Sequence, residues 1–277
     1  MLLADIALFI LRVGLIIFII FGTVGNALNL FIFTCRTLSQ LSCTLHLIAA
    51  SIDNTLVIFT SLLTRLLANG FSIDRTITSN VMCKLRFYFG YVFFALSPYF
   101  YTLACFDRYC SISTSATRRS WCSEKLAKRL IIGVIILACI LYCHMAMFYE
   151  IFMNGPMAYC ILSSFCMGLL CILTLINIRE QSHRIQPILV PTSDGGSRRI
   201  DRHLIRMLFA QILIQLLCIL PFAILNLMPF FFTDTRTTLY SFSNQIFTLP
   251  LCISYTTSFY IFTLSPRIYR RELLKFL

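Results

Sequence analysis

The chain has 277 residues, of which 58% are hydrophobic and only 12% charged, with a mean hydropathy of +0.84. A soluble domain carries about 25% charged residues, so most of this exterior must face something other than water. The net charge of +12 does not point to nucleic acid, because the basic residues sit in gaps between apolar runs, as they do in cytoplasmic loops of membrane proteins.

Seven apolar runs follow one another. The first, about 6–33, is too long for a signal-peptide core and is interrupted by Gly22, Gly25 and Asn26. The second, about 41–66, carries the carboxylate Asp53 near its middle. The third, about 84–109, begins beside Cys83 and closes on Asp107, Arg108 and Tyr109. As a helix, the stretch from Cys83 to Arg108 covers about 37 Å, enough to cross a bilayer. The fourth spans about 130–149 and the fifth about 158–178. A polar segment containing 191–197, with the composition of a flexible loop, precedes the sixth run at about 204–232, which contains Pro221. The seventh spans about 239–264. The tail, 266–277, is basic and amphipathic, with Ile268, Leu273, Leu274 and Phe276 able to share a face on the membrane surface. With no internal repeat, residues 1–277 read as a single domain, an all-α integral membrane protein built as a seven-transmembrane helix bundle.

Orientation follows from the cations. The links after runs one, three and five, together with Arg108 and the tail, hold 17 of the 23 Lys and Arg residues. Arg12, Arg65, Arg75, Lys84, Arg86 and Arg236 fall on the other side. The positive-inside rule therefore puts the tail in the cytoplasm and the N-terminus outside. Most of the 13 cysteines lie inside apolar runs and act as small hydrophobes, whereas Cys83 and Cys160 lie at run edges on the outer face.

These features have a collective resemblance. Gly25-Asn26 in run one, Asp53 closing Leu47-Ile48-Ala49-Ala50-Ser51-Ile52-Asp53, Asp107-Arg108-Tyr109 ending run three and Cys218-Ile219-Leu220-Pro221 in run six occur in order. Over nearly its whole length the chain resembles the rhodopsin-like G-protein-coupled receptors. It departs from them in several places. Ile219 replaces the sixth-helix tryptophan, and Thr257-Ser258-Phe259-Tyr260-Ile261 stands where the family has Asn-Pro-x-x-Tyr. The fourth run lacks a tryptophan and the fifth a proline, which mark a divergent member.

The resemblance implies a plasma-membrane receptor rather than an enzyme, passing an extracellular signal to a heterotrimeric G protein by outward movement of the sixth helix. It implies a Cys83–Cys160 disulfide, in keeping with an oxidising outer face. Asp107, Arg108 and Tyr109 would serve coupling, Asp201 would pair with Arg108 to lock the inactive state, and Cys218 with Pro221 would form a pivot. Asp201 also reads as a solvated loop charge. Asp53 must find partners inside the bundle. With Asn26, Ser97 and Ser254 it could hold Na⁺, as the family's sodium pocket does, and the same four residues equally suit a water-filled polar knot. No other cofactor is expected.

Gly90 lies eighteen residues before Arg108, where amine receptors carry aspartate, and the outer half of run seven has no lysine for a retinal Schiff base. A peptide ligand remains by elimination. Phe87, Tyr91, Phe94 and Glu150 could line its pocket, although aromatic spacing of this kind also serves packing. The rival reading is a multi-pass transporter or channel. That class more often shows paired half-repeats and several intramembrane charges, whereas here the mid-membrane charge is Asp53. His46 and His144 are too isolated for a metal site.

Overall fold

A computed structural model describes residues 2–35, 38, 41–71, 73, 80–112, 116–148, 195–231, 238–264 and 269. The fifth run and, apart from Tyr269, the amphipathic tail lie outside the described residues. Helices are named below by the run they come from.

The first helix runs Leu2–Thr34 and the second starts at Ser42. The second is α-helical to Val57, then passes through two stretches of wide i→i+5 turns, Ile58–Leu63 and Leu66–Gly70. Thr55, Thr60 and Thr64 each donate to the carbonyl four residues back, at 2.9, 2.7 and 2.6 Å. These bonds give the irregular backbone polar partners where lipid would offer none. The third helix, Asn80–Ile112, continues through Pro98. After a short turn of helix at Ala116–Arg119, the fourth spans Glu124–Phe148. Ser123 caps it by accepting the Leu126 N–H at 3.3 Å. The sixth helix is Gly195–Phe231, and the seventh is Thr238–Thr256 with a bend at Thr257 before Ser258–Leu264.

Among the described residues, four stretches are long and apolar enough to cross a bilayer, namely Leu8–Thr34, Ser42–Ala68, Val81–Ser111 and Glu124–Cys143. Their faces follow a membrane rule. On the first helix Phe9, Ile17, Ile20, Phe21 and Val24 are exposed, and on the fourth Ile132, Ile136 and Ile140 are. The polar side chains turn inward: Asn26, Asn29, Asp53, Asn54, Ser97 and Gln211 are all buried. Water would favour the opposite arrangement.

The third helix packs against the second, fourth and sixth. It is buried around most of its girth, through Val92, Ala95, Leu96, Phe100, Tyr101 and Ala104. The first helix reaches the seventh by virtue of a glycine. A Cβ at Gly22 would sit 2.6 Å from Thr256 Cγ2 and 2.8 Å from Ile58 Cδ1, so the backbones meet where no larger residue fits.

Among the described residues two apolar cores result. The larger gathers Phe33, Leu47, Phe100, Tyr101, Met207, Phe262 and their neighbours around the end of the bundle that holds Arg108. The smaller gathers Leu11, Leu15, Val57, Leu62, Ile219, Leu251 and Tyr255 toward the opposite end.

Candidate functional site

Polar side chains occupy three zones along the third helix. At its C-terminal end, Asp107 and Arg108 are 6% and 3% exposed, and Arg108 Nη2 lies 2.7 Å from Asp107 Oδ2. Ser42, in the first turn of the second helix, places its hydroxyl 2.7 and 2.8 Å from the two carboxylate oxygens and donates to them. The guanidinium also reaches the Ser42 hydroxyl at 3.5 Å. His46, one turn further along the second helix, is buried close to both charges. A carboxylate and a guanidinium held together out of water are stable as a pair and costly to separate.

The Asp107 carbonyl accepts a hydrogen bond from the Cys122 thiol at 3.1 Å. Burial, and next the Asp107 charge, push that thiol up to about 12. Tyr109 turns away from the pair and accepts from Arg118 Nη1 at 2.9 Å. Asp201 falls within the helical backbone of Gly195–Phe231, but its side chain lies outside the described residues.

In the middle zone a chain of hydrogen bonds joins four helices. Ser97 Oγ donates to Asn54 Oδ1 at 2.9 Å, and Asn54 Nδ2 reaches Tyr101 Oη at 3.2 Å and Asn26 Oδ1 at 3.4 Å. Asn26 Oδ1 also accepts from Ser258 Oγ at 3.2 Å, and Asn29 Nδ2 donates to that hydroxyl at 3.1 Å. Tyr269 donates to Asn29 Oδ1, ending the chain. Asn26 and Ser97 are thus brought into one network, with Asn54 as the link between them.

Asp53 stands apart from this network. It is 3% exposed, and neither carboxylate oxygen has a hydrogen-bond partner among the described residues. The Ser97 amide faces it without completing a bond. Ser254 uses its hydroxyl on the Leu251 carbonyl at 2.7 Å, while its own carbonyl accepts from Gln211 of the sixth helix at 3.3 Å. Among the described residues, no group of three or more His, Cys, Asp or Glu side chains gathers.

The third zone is a pocket at the opposite end from Arg108. With the open solvent at its mouth included it spans about 700 Å³, and its walls come from helices two, three, six and seven. Phe87, Tyr91 and Phe94 line it, as do Arg65, Arg86 and Gly90. Glu150 lies outside the described residues. Cys83, on the first turns of the third helix, is half-buried, and Cys160 lies outside the described residues. In the sixth helix Cys218 and Pro221 are half-buried, and Ile219 is turned into the smaller core.

Several of these residues carried no sequence motif. Ser42 stands unremarked at the start of run two and Arg65 enters only as an outer-face cation, and the approach of a second helix gives each a partner. Asn29 is more legible, being three residues from Asn26 and therefore on the same face of the helix. Tyr260 meets the Phe21 carbonyl at 3.3 Å, while Tyr101 occupies the interior.

A bundle of lipid-facing helices with a polar interior, an ion pair at one end and a pocket at the other defines a multi-pass membrane protein of receptor type. The sequence matches the 7 transmembrane receptor (rhodopsin family) over residues 25–269, and the chain belongs to that family. No curated protein matches it. Members of this family are receptors rather than enzymes, and the chain is a multi-pass receptor of the plasma membrane.

Proposed function

We propose that the chain passes an extracellular ligand signal to a cytoplasmic heterotrimeric G protein by outward movement of the sixth helix. The N-terminus lies outside and the tail in the cytoplasm, an orientation that the cation distribution supports. The observation that carries this reading is the double role of the third helix. One end bears the buried Asp107–Arg108 pair, and the other forms a wall of the pocket. A rigid element shared by two sites can bias both, which is the physical requirement for coupling them.

In the resting state Asp107, held by Ser42, neutralises Arg108, and Asp201 on the sixth helix provides the second carboxylate. Release of Arg108 opens a cytoplasmic groove beside Tyr109, with Cys218 and Pro221 as the pivot. Pro221 removes one backbone hydrogen bond, so bending there costs less than elsewhere in the helix. Cys83 and Cys160 join the outer end of the third helix to the chain before run five. The ligand, a peptide by elimination, enters beside Phe87, Tyr91 and Phe94, with Glu150 at the rim.

The polar midsection fits a Na⁺ ion in one respect. The Asp53 carboxylate is an acceptor with two buried oxygens that lack donors among the described residues. Asp53 and Ser97 would hold the ion, with Asn26 and Ser254 contributing polar atoms from the first and seventh helices. The ion would supply the countercharge that the described residues do not.

The test is G-protein activation in cells, basal and peptide-stimulated, for the wild type, Asp201→Ala and Arg108→Ala at matched surface expression. Raised basal activity in Asp201→Ala that disappears when Arg108→Ala is added supports the lock. Silence in all three would remove the coupling mechanism and favour solute or ion flux.

A further inference from the structure

Resting on the reading of this pocket as the ligand site, we infer that the ligand presents an anion, a carboxylate on an apolar or aromatic body, to Arg65. Arg65 lies twelve residues beyond Asp53, at the edge of the smaller core. It is enclosed by protein yet keeps accessible surface, and that surface is pocket wall. Its Nη1 donates to Thr248 Oγ1 of the seventh helix at 2.5 Å, and no carboxylate pairs with it among the described residues. A guanidinium carries five N–H donors in a fork that matches a carboxylate, so most of its capacity points to a ligand.

The surrounding groups reinforce this assignment. Arg86, on the third helix, is close enough to repel Arg65, so the pocket holds two cations. Low-dielectric walls concentrate such a field. The hydroxyls of Thr60 and Thr64 are turned back onto their own helix, at 2.7 and 2.6 Å, and compete little for a ligand. Phe87, Phe94, Phe222 and Leu251 provide the apolar surface on which an aromatic or short aliphatic body would rest. A cationic ligand would meet the like charge of Arg65. A neutral one would leave an enclosed guanidinium with a hydroxyl as its partner among the described residues, so part of its desolvation would go uncompensated. An anion removes that cost.

The carboxylate could be a peptide C-terminus or belong to a small organic acid, and a phosphate monoester has related chemistry. The probes are N-acetyl-phenylalanine, its primary amide, and 3-phenylpropyl phosphate, titrated by ligand-observed NMR onto the full chain in nanodiscs. The acid is expected to bind about tenfold or more tightly than the amide, the usual scale of a hydrogen bond to a charged group. Arg65→Gln should abolish that preference and Arg65→Lys retain part of it.

Because Arg65→Gln also removes the bond to Thr248, Gly90→Asp is the second variant. A Cβ at Gly90 meets Ser61 Oγ at 3.4 Å, an ordinary contact, so the fold accepts it. Its carboxylate should occupy Arg65 and block the acid. Tighter binding of the phosphate, with the same dependence on Arg65, supports the anion site and assigns it to a phosphorylated ligand. Equal binding of acid and amide, no binding of any probe, or acid binding that survives both Arg65→Gln and Gly90→Asp overturns the inference. The measurement needs no G protein. Anion binding without coupling would sink the receptor mechanism alone, and coupling without anion binding would sink this inference alone.

Discussion

At the Arg108 end of the bundle the chain supplies the partners of its own charges. Asp107 faces Arg108, Ser42 donates to Asp107, and beside them Phe33, Phe262 and Tyr269 pack edge to face with ring centroids 5.7 to 6.3 Å apart. At the Arg65 end a cation has a hydroxyl for a partner, the core is smaller, and a cavity stands where side chains would otherwise meet. The difference indicates where free energy is stored. A well-packed end whose buried carboxylate and guanidinium face each other resists change until that pair is broken, whereas an end built around an open pocket gains from whatever fills it. In a receptor, the first behaviour suits the side that must stay off and the second the side that must sense.

The sharpest way to break this contrast is to cut into both cores. Phe262→Ala should cost about 3–5 kcal/mol, the range for a large aromatic truncated in a tight core. Leu251→Ala, in the pocket wall, should fall near 2 kcal/mol, the low end for a leucine, because the site already borders space. Thermal unfolding of the purified variants should show the larger drop in Tm for Phe262→Ala. Equal drops would mean that the two ends are packed alike.

A smaller effect is expected where the first and seventh helices meet. Gly22→Ala should cost about 1–3 kcal/mol by overpacking against the stiff, β-branched Thr256. The double variant with Thr256→Ala should recover most of the loss, and a non-additive cycle in Tm would establish the contact. An additive result would mean that the helices can separate there at little cost.

The smallest effect on stability should come from Ser42→Ala, which removes a donor to a charged acceptor, about 1.5 kcal/mol or somewhat more. Its signalling effect should be disproportionate, because it loosens Asp107 without touching Arg108. Basal G-protein activation should rise. Unchanged basal activity at equal expression would show that Ser42 is packing rather than part of the restraint.

The described helices overlap runs one to four, six and seven because lipid demands long apolar stretches, and the turn from Thr34 to Ser42 falls in the gap that the apolar pattern leaves. Asp107 and Arg108 were legible in the sequence, as charges at the end of an otherwise apolar run. The interior network was legible only in part. Asp53 and Asn54 are adjacent, so their side chains point about 100° apart around the helix. Sequence alone does not reveal which of them meets Ser97. Asn54 does, and Asp53 is left facing the Ser97 amide without a completed bond. The motif position Tyr260 likewise turns to the first helix, and Tyr101 and Tyr269 fill the interior.

The sequence by itself determined that this chain is a membrane helix bundle of the rhodopsin receptor family and which end of the third helix carries its charges. Both follow from one-dimensional quantities, namely run length and the order of a few residues. Tertiary structure alone decided which polar atoms meet. It set Asn54 at the centre of the network, placed Ser42 under Asp107, and left Arg65 facing a pocket with a hydroxyl for company. Those outcomes depend on the rotation of each helix about its axis and on the wide turns after Val57, and rotation is set by the neighbours a helix packs against rather than by its own residues.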